Sequence, residues 1–371
     1  MSRRALRQTL LRIARALGGF RLAQWITRRD LRILCYHGFS IRDEHEFRPG
    51  LFITADEFEG RLTHLERAGY HVLPLGEALD RRRAGTLPAC AVCITIDDGF
   101  YSTLSVAAPA MHRHRMPSTL YLTTYYVDHQ APIFNLAAAY AFWRTTRETI
   151  DLRGLGIRGL PTEVLPWATM AEAQRTDVVE RIVSDAVTRL DGGERSALLA
   201  QLAERTGTSL EEIVGQRLFH LVTRDEAREI QRFGVDLQLH THRHRSPGVA
   251  AEADRELIDN GAIVRVIAAR EPTHFCYPSG RFDRWQDEWL RRHGVQSGTT
   301  CVPGFVRAET PQYQLGRFLD GADIDQLTFE AEMSGVLELA RRLRTRLRGV
   351  ARPTFRDDPA EGRALQPRSE P

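Results

Sequence analysis

The chain has 371 residues, 42% hydrophobic and 27% charged, which excludes wholesale disorder, a collagen-like repeat and a coiled coil. Its 51 basic residues nearly balance 48 acidic ones, for a formal net charge of +3, so nucleic acid is not indicated as a partner. All 51 are arginine, which excludes a Schiff-base lysine and a phosphate-loop lysine.

No run of about 18 apolar residues marks a membrane-spanning helix. The length suits one large catalytic domain with appendages, because α/β barrels reach about 250 residues as a single unit.

Residues 1–30 open the chain with basic character. Nine arginines fall between Arg3 and Arg32, with almost no acid among them. Leu6, Leu10, Ile13, Leu17 and Phe20 recur at steps of four and three, which predicts one basic amphipathic helix. The stretch has no uninterrupted apolar core and no small-residue cleavage site, so it does not read as a signal peptide. Such a helix either docks on its own domain or lies on an anionic membrane surface.

Leu31–Tyr36 reads as a buried strand. Thr54 and Glu57 form a capping box ahead of a helix whose apolar face is Phe58, Leu62 and Leu65, ended by Gly69. Tyr70–Leu75 reads as a strand. Ala91–Ile96 is a continuous β-rich apolar run, a central strand covered on both faces. Another strand follows at Ser118–Thr123. This alternation predicts a parallel α/β architecture.

Residues 130–225 break the alternation. Apolar positions at helical spacing dominate from Phe134 to Trp143, Met170 to Leu190 and Leu198 to Leu202, which predicts a helical insertion. The pattern resumes with a strand at Val235–Leu239, a helix near Ala251–Ala268, a strand at Thr273–Tyr277 and a helix at Asp283–His293. Residues 31–335 form the main domain on this reading, and 336–371 a basic helix and tail. Leu343, Leu347 and Val350 lie among arginines, and 353–371, with four prolines, reads as disordered.

The five cysteines are Cys35, Cys90, Cys93, Cys276 and Cys301. An odd number in mostly apolar runs fits a reduced compartment. Cys90 and Cys93 make a C-x-x-C, but without a second pair the simpler reading is Cys93 packed inside a strand.

Three segments at the carboxyl ends of strands can carry chemistry, the end where α/β barrels build their sites. Thr95-Ile96-Asp97-Asp98-Gly99 places adjacent carboxylates where burial is costly unless a cation or a partner offsets it. One can bind a metal while the other accepts a proton; alternatively the pair caps the next helix. His240-Thr241-His242-Arg243-His244 places two imidazoles four apart, able to face one point if the segment starts a helical turn. Two imidazoles and one carboxylate suit zinc and leave a coordination position open, the pattern of a catalytic site. His242 would point away from that pair. Phe275–Gly280 is a weaker signal, a strand ending in a Pro/Gly turn whose backbone N–H groups could serve an oxyanion.

In this order, the segments resemble the polysaccharide deacetylase family, the nodulation-deacetylase homology domain. The family's T-F-D-D-G appears as TIDDG at 95–99, its H-[S/T]-x-x-H as HTHRH at 240–244, and its proline-tyrosine-glycine turn resembles YPSG at 277–280. Cys35-Tyr36-His37-Gly38 is similar to the start of members acting on exopolysaccharides. The resemblance spans roughly 31–320.

It implies a distorted (β/α)7 barrel and a metal-dependent N- or O-deacetylase. Asp98, His240 and His244 would hold a divalent ion, zinc by its donor set. Asp97 would be the general base, and the turn at Ser279 would help hold the oxyanion through its backbone. Two departures stand out. Cys276 occupies the place of an arginine that orients the base aspartate. The last motif's histidine, a general acid, has no counterpart: no histidine follows His293, and Leu315-Gly316-Arg317 stands roughly there. His37 is the substitute acid, a structural histidine being the other reading.

The implied substrate is an acetylated saccharide or glycolipid of surface polysaccharide biosynthesis. The basic amphipathic ends suit a cytoplasmic protein, peripheral at the inner face of the membrane. Two rivals remain. One is a carbohydrate-binding protein of the same fold without turnover. The other is an amidohydrolase-type enzyme using His240 and His242 as its H-x-H pair, disfavoured because the cluster lies two-thirds along the chain.

Overall fold

The structure is a computed structural model that describes residues 3–160, 163–246, 249–282 and 285–348. Val350 and the tail predicted at 353–371 lie outside the described residues. The described residues form two compact units, 126–221 and the remainder.

The larger unit is a distorted (β/α)7 barrel. Its strands are β1 (Arg32–Tyr36), β2 (Ala91–Asp98), β3 (Ser118–Leu122), β4 (Val235–Leu239), β5 (His274–Cys276), β6 (Ser297–Thr299) and β7 (Phe318–Leu319). They run in the order β7-β1-β2-β3-β4-β5-β6, every pair parallel. Residues 315–319 join the two edges. Leu315 N donates to Gly298 O and Thr300 N donates to Leu315 O, both at 2.9 Å, while Leu34 and Cys35 pair with β7. Around the barrel pack, among others, α1 (Arg3–Ala16), α2 (Gly19–Ile26), α3 (Ala55–Arg67), α4 (Ala250–Ala268), α5 (Gln326–Ser334) and α6 (Val336–Arg348).

β2 is the axis of this sheet. All eight of its residues are buried, as a β-branched run covered on both faces requires. Ile33, Cys93, Tyr121, Cys276 and Leu315 share one core cluster. The capping box of α3 is present: Glu57 N donates to Thr54 Oγ1 at 3.2 Å and Thr54 N to the Glu57 carboxylate at 3.1 Å. Phe58, Leu62 and Leu65 are fully buried behind it. The strand expected at Tyr70–Leu75 is shorter. Only His71–Val72 pairs with β2, and a helix starts at Leu75, just after Pro74.

The basic N-terminal stretch is two helices, not one. Gly18 adopts a left-handed φ of 76° between α1 and α2, a conformation glycine takes without strain. Apart from Phe20, the apolar stripe is not the docking face. α1 packs through Leu11, in a cluster with Phe20 and Ala331, and through Gln8 and Arg15, which donate to Asp325 at 2.6 Å and Glu330 at 3.0 Å. Leu6, Leu10, Ile13 and Leu17 are exposed.

The smaller unit is built mainly of helices, including Phe134–Arg144, Glu172–Arg189 and Gly192–Thr206. Phe142, Trp167, Ile182 and Leu202 are among its buried residues.

Candidate metal centre and active site

Asp97 and Asp98 both lie within β2, so neither caps a helix. Alternation along the strand puts Thr95 and Asp97 on one face, and both meet the same guanidinium there. Asp98 departs from strand geometry, with φ at 69°, and Gly99 follows at 95°. A side chain at Gly99 would clash with Leu122 Cδ1. The left-handed pair turns the chain at the strand's end, and a non-glycine residue held there signals a site that stores strain.

Asp98 Oδ1 lies 3.3 Å from His240 Nε2 and 3.3 Å from His244 Nε2. The three ligand atoms fall within 4.8 Å of one another. The histidine segment is not the helical turn its spacing suggested. Thr241 and His244 are left-handed, at φ 63° and 55°, and the loop curls so that both rings face the carboxylate. His242 turns aside, its Nδ1 2.9 Å from Thr124 Oγ1. The pair is therefore His240 with His244, and an H-x-H reading of His240 with His242 does not fit.

One face of α4 staples this loop. Asn260 Oδ1 accepts from His240 N at 3.0 Å, while its amide donates to Leu122 O at 2.9 Å and Thr124 Oγ1 at 3.0 Å. Four residues earlier, one helical turn away, the Glu256 carboxylate accepts from Arg243 N at 2.6 Å and its carbonyl from His242 N at 3.2 Å.

Asp97 has a different partner. Arg317 NH1 and NH2 donate to its Oδ1 and Oδ2, each at 2.7 Å, the bidentate geometry that guanidinium and carboxylate share. Arg317 is fully buried and also donates to Thr95 Oγ1 and Thr300 O, both at 3.1 Å. Thiols complete the surroundings. Cys276 Sγ is 3.3 Å and Cys35 Sγ 3.6 Å from Asp97 Oδ2. The cation missing at Cys276 thus arrives from the segment leading into β7, where sequence reading sought a histidine.

The two carboxylates are tuned by these neighbours. Burial pushes Asp97 up, but the Arg317 charge and hydrogen bonds hold it far below the ordinary carboxylate range. Burial also acts on Asp98, and the adjacent imidazoles more than offset it, holding that carboxyl at about 2. Burial holds His244 down to about 4, largely neutral.

His37 Nε2 stands 3.8 Å from Asp97 Oδ2 at the carboxyl end of β1. Ser279 lies in the turn after β5 with φ 54°, its Oγ buried and without a hydrogen-bond partner among the described residues. Cys93 packs inside β2, and all five cysteines are free.

A divalent cation fits the donor set. His240 Nδ1 donates to the Cys276 carbonyl at 2.9 Å, which turns Nε2 toward Asp98. Burial pushes His240 down, but Cys276 and the hydrogen bond to Asp98 raise it well above the ordinary imidazole value, so the 3.3 Å contact is one that a proton or a metal cation fills. Arg317 neutralises Asp97, which leaves Asp98 as the net charge facing two imidazoles.

No protein-family model matches the chain, and no curated protein matches it. Solved structures do share the fold. The Streptococcus pyogenes deacetylase PplD in complex with acetate matches with a TM-score of 0.54 at 15% identity, over 82% of this chain and 98% of that one. A de-N-acetylase from Aggregatibacter actinomycetemcomitans matches with a TM-score of 0.50 at 14% identity, over 81% of this chain and 99% of that one.

Proposed function

We propose that the chain is a metal-dependent deacetylase that removes acetyl groups from N-acetylated, or O-acetylated, sugars of a surface polysaccharide or glycolipid precursor. One observation carries the reading: adjacent buried aspartates are given opposite surroundings, Asp98 two imidazoles and Asp97 a guanidinium. Such a pair separates a ligand from a base. The S. pyogenes protein of the same fold was solved with acetate, the acid that deacetylation releases.

Asp98, His240 and His244 would hold the cation, zinc in this reading. When bound, it supplies a Lewis acid for the acetyl carbonyl and makes water more acidic than in bulk. Arg317 keeps Asp97 charged and fixes its plane. Asp97 is a weak base, so its contribution is position: it accepts the proton of the attacking water. Backbone N–H groups of the turn at Ser279 stabilise the oxyanion as it forms. His37, beside Asp97, protonates the leaving amine or alcohol. A lipid-linked sugar at the cytoplasmic face of a membrane is the substrate source this reading favours.

Binding without turnover is the alternative, favoured by the absence of a histidine after His293. Acetate release from a panel of acetylated saccharides decides between them. Wild type should release acetate and Asp97→Asn should lose about 10²–10⁴ of the rate, with its metal content unchanged. Release by Asp97→Asn at the wild-type rate overturns the base assignment. No release from any saccharide by the metal-loaded wild type overturns the enzymatic reading.

A further inference from the structure

We propose that α1, α2 and α6 form a docking surface for an anionic lipid bilayer. The three helices are neighbours: α1 packs on α2 and α2 on α6. Each spends its inner face on the barrel unit and keeps apolar side chains outside. Leu11, Phe20 and Ala23 are buried. Leu6, Leu10, Ile13 and Leu17 on α1 and the adjoining turn, Leu22, Trp25 and Ile26 on α2, and Leu343 and Leu347 on α6 are between 49% and 82% exposed.

The spacing shows that these are faces and not scattered residues. Positions 6, 10, 13 and 17 recur at steps of four and three, 22, 25 and 26 lie within one helical turn, and 343 and 347 are four apart. On α1 the exposed stripe lies opposite Leu11, so packing on the barrel does not explain it. Exposed apolar patches of this kind mark interaction sites.

Charge decides the partner. Arg7, Arg12, Arg21, Arg29, Arg344 and Arg346 are exposed on the same helices and the turn after α2. Asp30 and Glu338 are the acids of residues 1–41 and 336–348. Asp30 is bound by Arg342 at 2.7 Å, and Glu338 is buried against Arg341 and Arg342. Apolar side chains rimmed by guanidinium groups match the interface of an anionic bilayer, where the former enter the acyl boundary and the latter meet phosphates.

Trp25, with Arg28 4.5 Å over its ring, is the residue type that settles at that depth. Among the described residues no helix is long and apolar enough to cross a membrane, so the contact lies in the plane of the interface. A second copy of the chain fits poorly. A two-fold contact would bring this arginine-rimmed surface against its own copy, basic rim facing basic rim.

The test is co-sedimentation of the full chain with vesicles of phosphatidylcholine, with or without phosphatidylglycerol. Wild type should bind the anionic vesicles at least ~10-fold better than the neutral ones, and added salt should weaken the binding. A Leu10→Gln/Leu17→Gln/Trp25→Gln variant and an Arg7→Gln/Arg21→Gln/Arg344→Gln variant should each lose about tenfold in partition. Both should keep the wild-type circular dichroism and metal content, which separates this surface from the reaction. Should the first variant misfold, the second decides alone. No binding to anionic vesicles, equal binding to both kinds, or a wild-type dimer dissolved by the leucine and tryptophan changes would overturn the proposal.

Discussion

Arg317 grips both carboxylate oxygens of Asp97 at 2.7 Å, across 220 positions of sequence and with neither side chain more than 2% exposed. The contact explains how Cys276 can stand where a base-orienting cation is expected. Its thiol lies 3.1 Å from Arg317 NH2 and 3.3 Å from Asp97, filling space against a guanidinium delivered from the segment leading into β7.

Arg317→Met should strand a buried carboxylate. Removing one partner of such a pair costs about 3–5 kcal/mol, and Asp97 would then take up a proton and lose its function as a base. Calorimetry should show a lower melting temperature, and acetate release should fall by at least ~10². Pairing Arg317→Met with Asp97→Asn should restore much of the stability and none of the activity. If the double variant is no more stable than Arg317→Met, the two groups are not energetically coupled.

Asn260→Ala tests the α4 staple. His240 N would lose its buried acceptor, and the histidine loop would lose its tie to the end of β3. Metal affinity should fall about 10–100-fold, the usual effect of removing a group that orients a ligand. A competition titration with a chelator reads this directly, with circular dichroism as the control for folding. Unchanged affinity means that the loop holds its shape without Asn260.

His274 sets an acid limit on stability away from the site. Burial holds its pKa in the folded state down to about 4, against 6.5 ordinarily, and its ring meets Ser297 Oγ at 2.9 Å. Between those values the unfolded chain binds the extra proton, so stability rises with pH across the window and levels off above it. The contribution lost on acidification is on the order of 3 kcal/mol. Urea unfolding across this pH range should show a shallower dependence in His274→Gln than in wild type. Parallel curves would show that another group carries the effect.

Local signals were readable wherever a short stretch holds its own cause. The β-branched run of β2, the Thr54–Glu57 box of α3 and the fourfold histidine spacing each depend on neighbours in sequence. Arg317 had no such signal. It is one of 51 arginines, and its meaning comes from a carboxylate in a distant strand. β6 and β7 have three and two residues, too few to show a period. The apolar stripe of α1 was visible, but periodicity identifies a face without saying what covers it, and Leu11 on the opposite side makes the packing contact. The spacing identifies the histidine pair, but left-handed residues, not a helical turn, bring the rings together.

The proposed deacetylase requires Asp98, His240 and His244 to hold one cation. Metal content per chain, measured on wild type beside Asp98→Asn, His240→Ala and His244→Ala with folding checked by circular dichroism, tests it most directly. Wild type should carry one divalent ion and each folded variant should lose it. A wild type that takes up no ion from a metal-supplemented buffer, or variants that retain a full complement, would contradict the assignment.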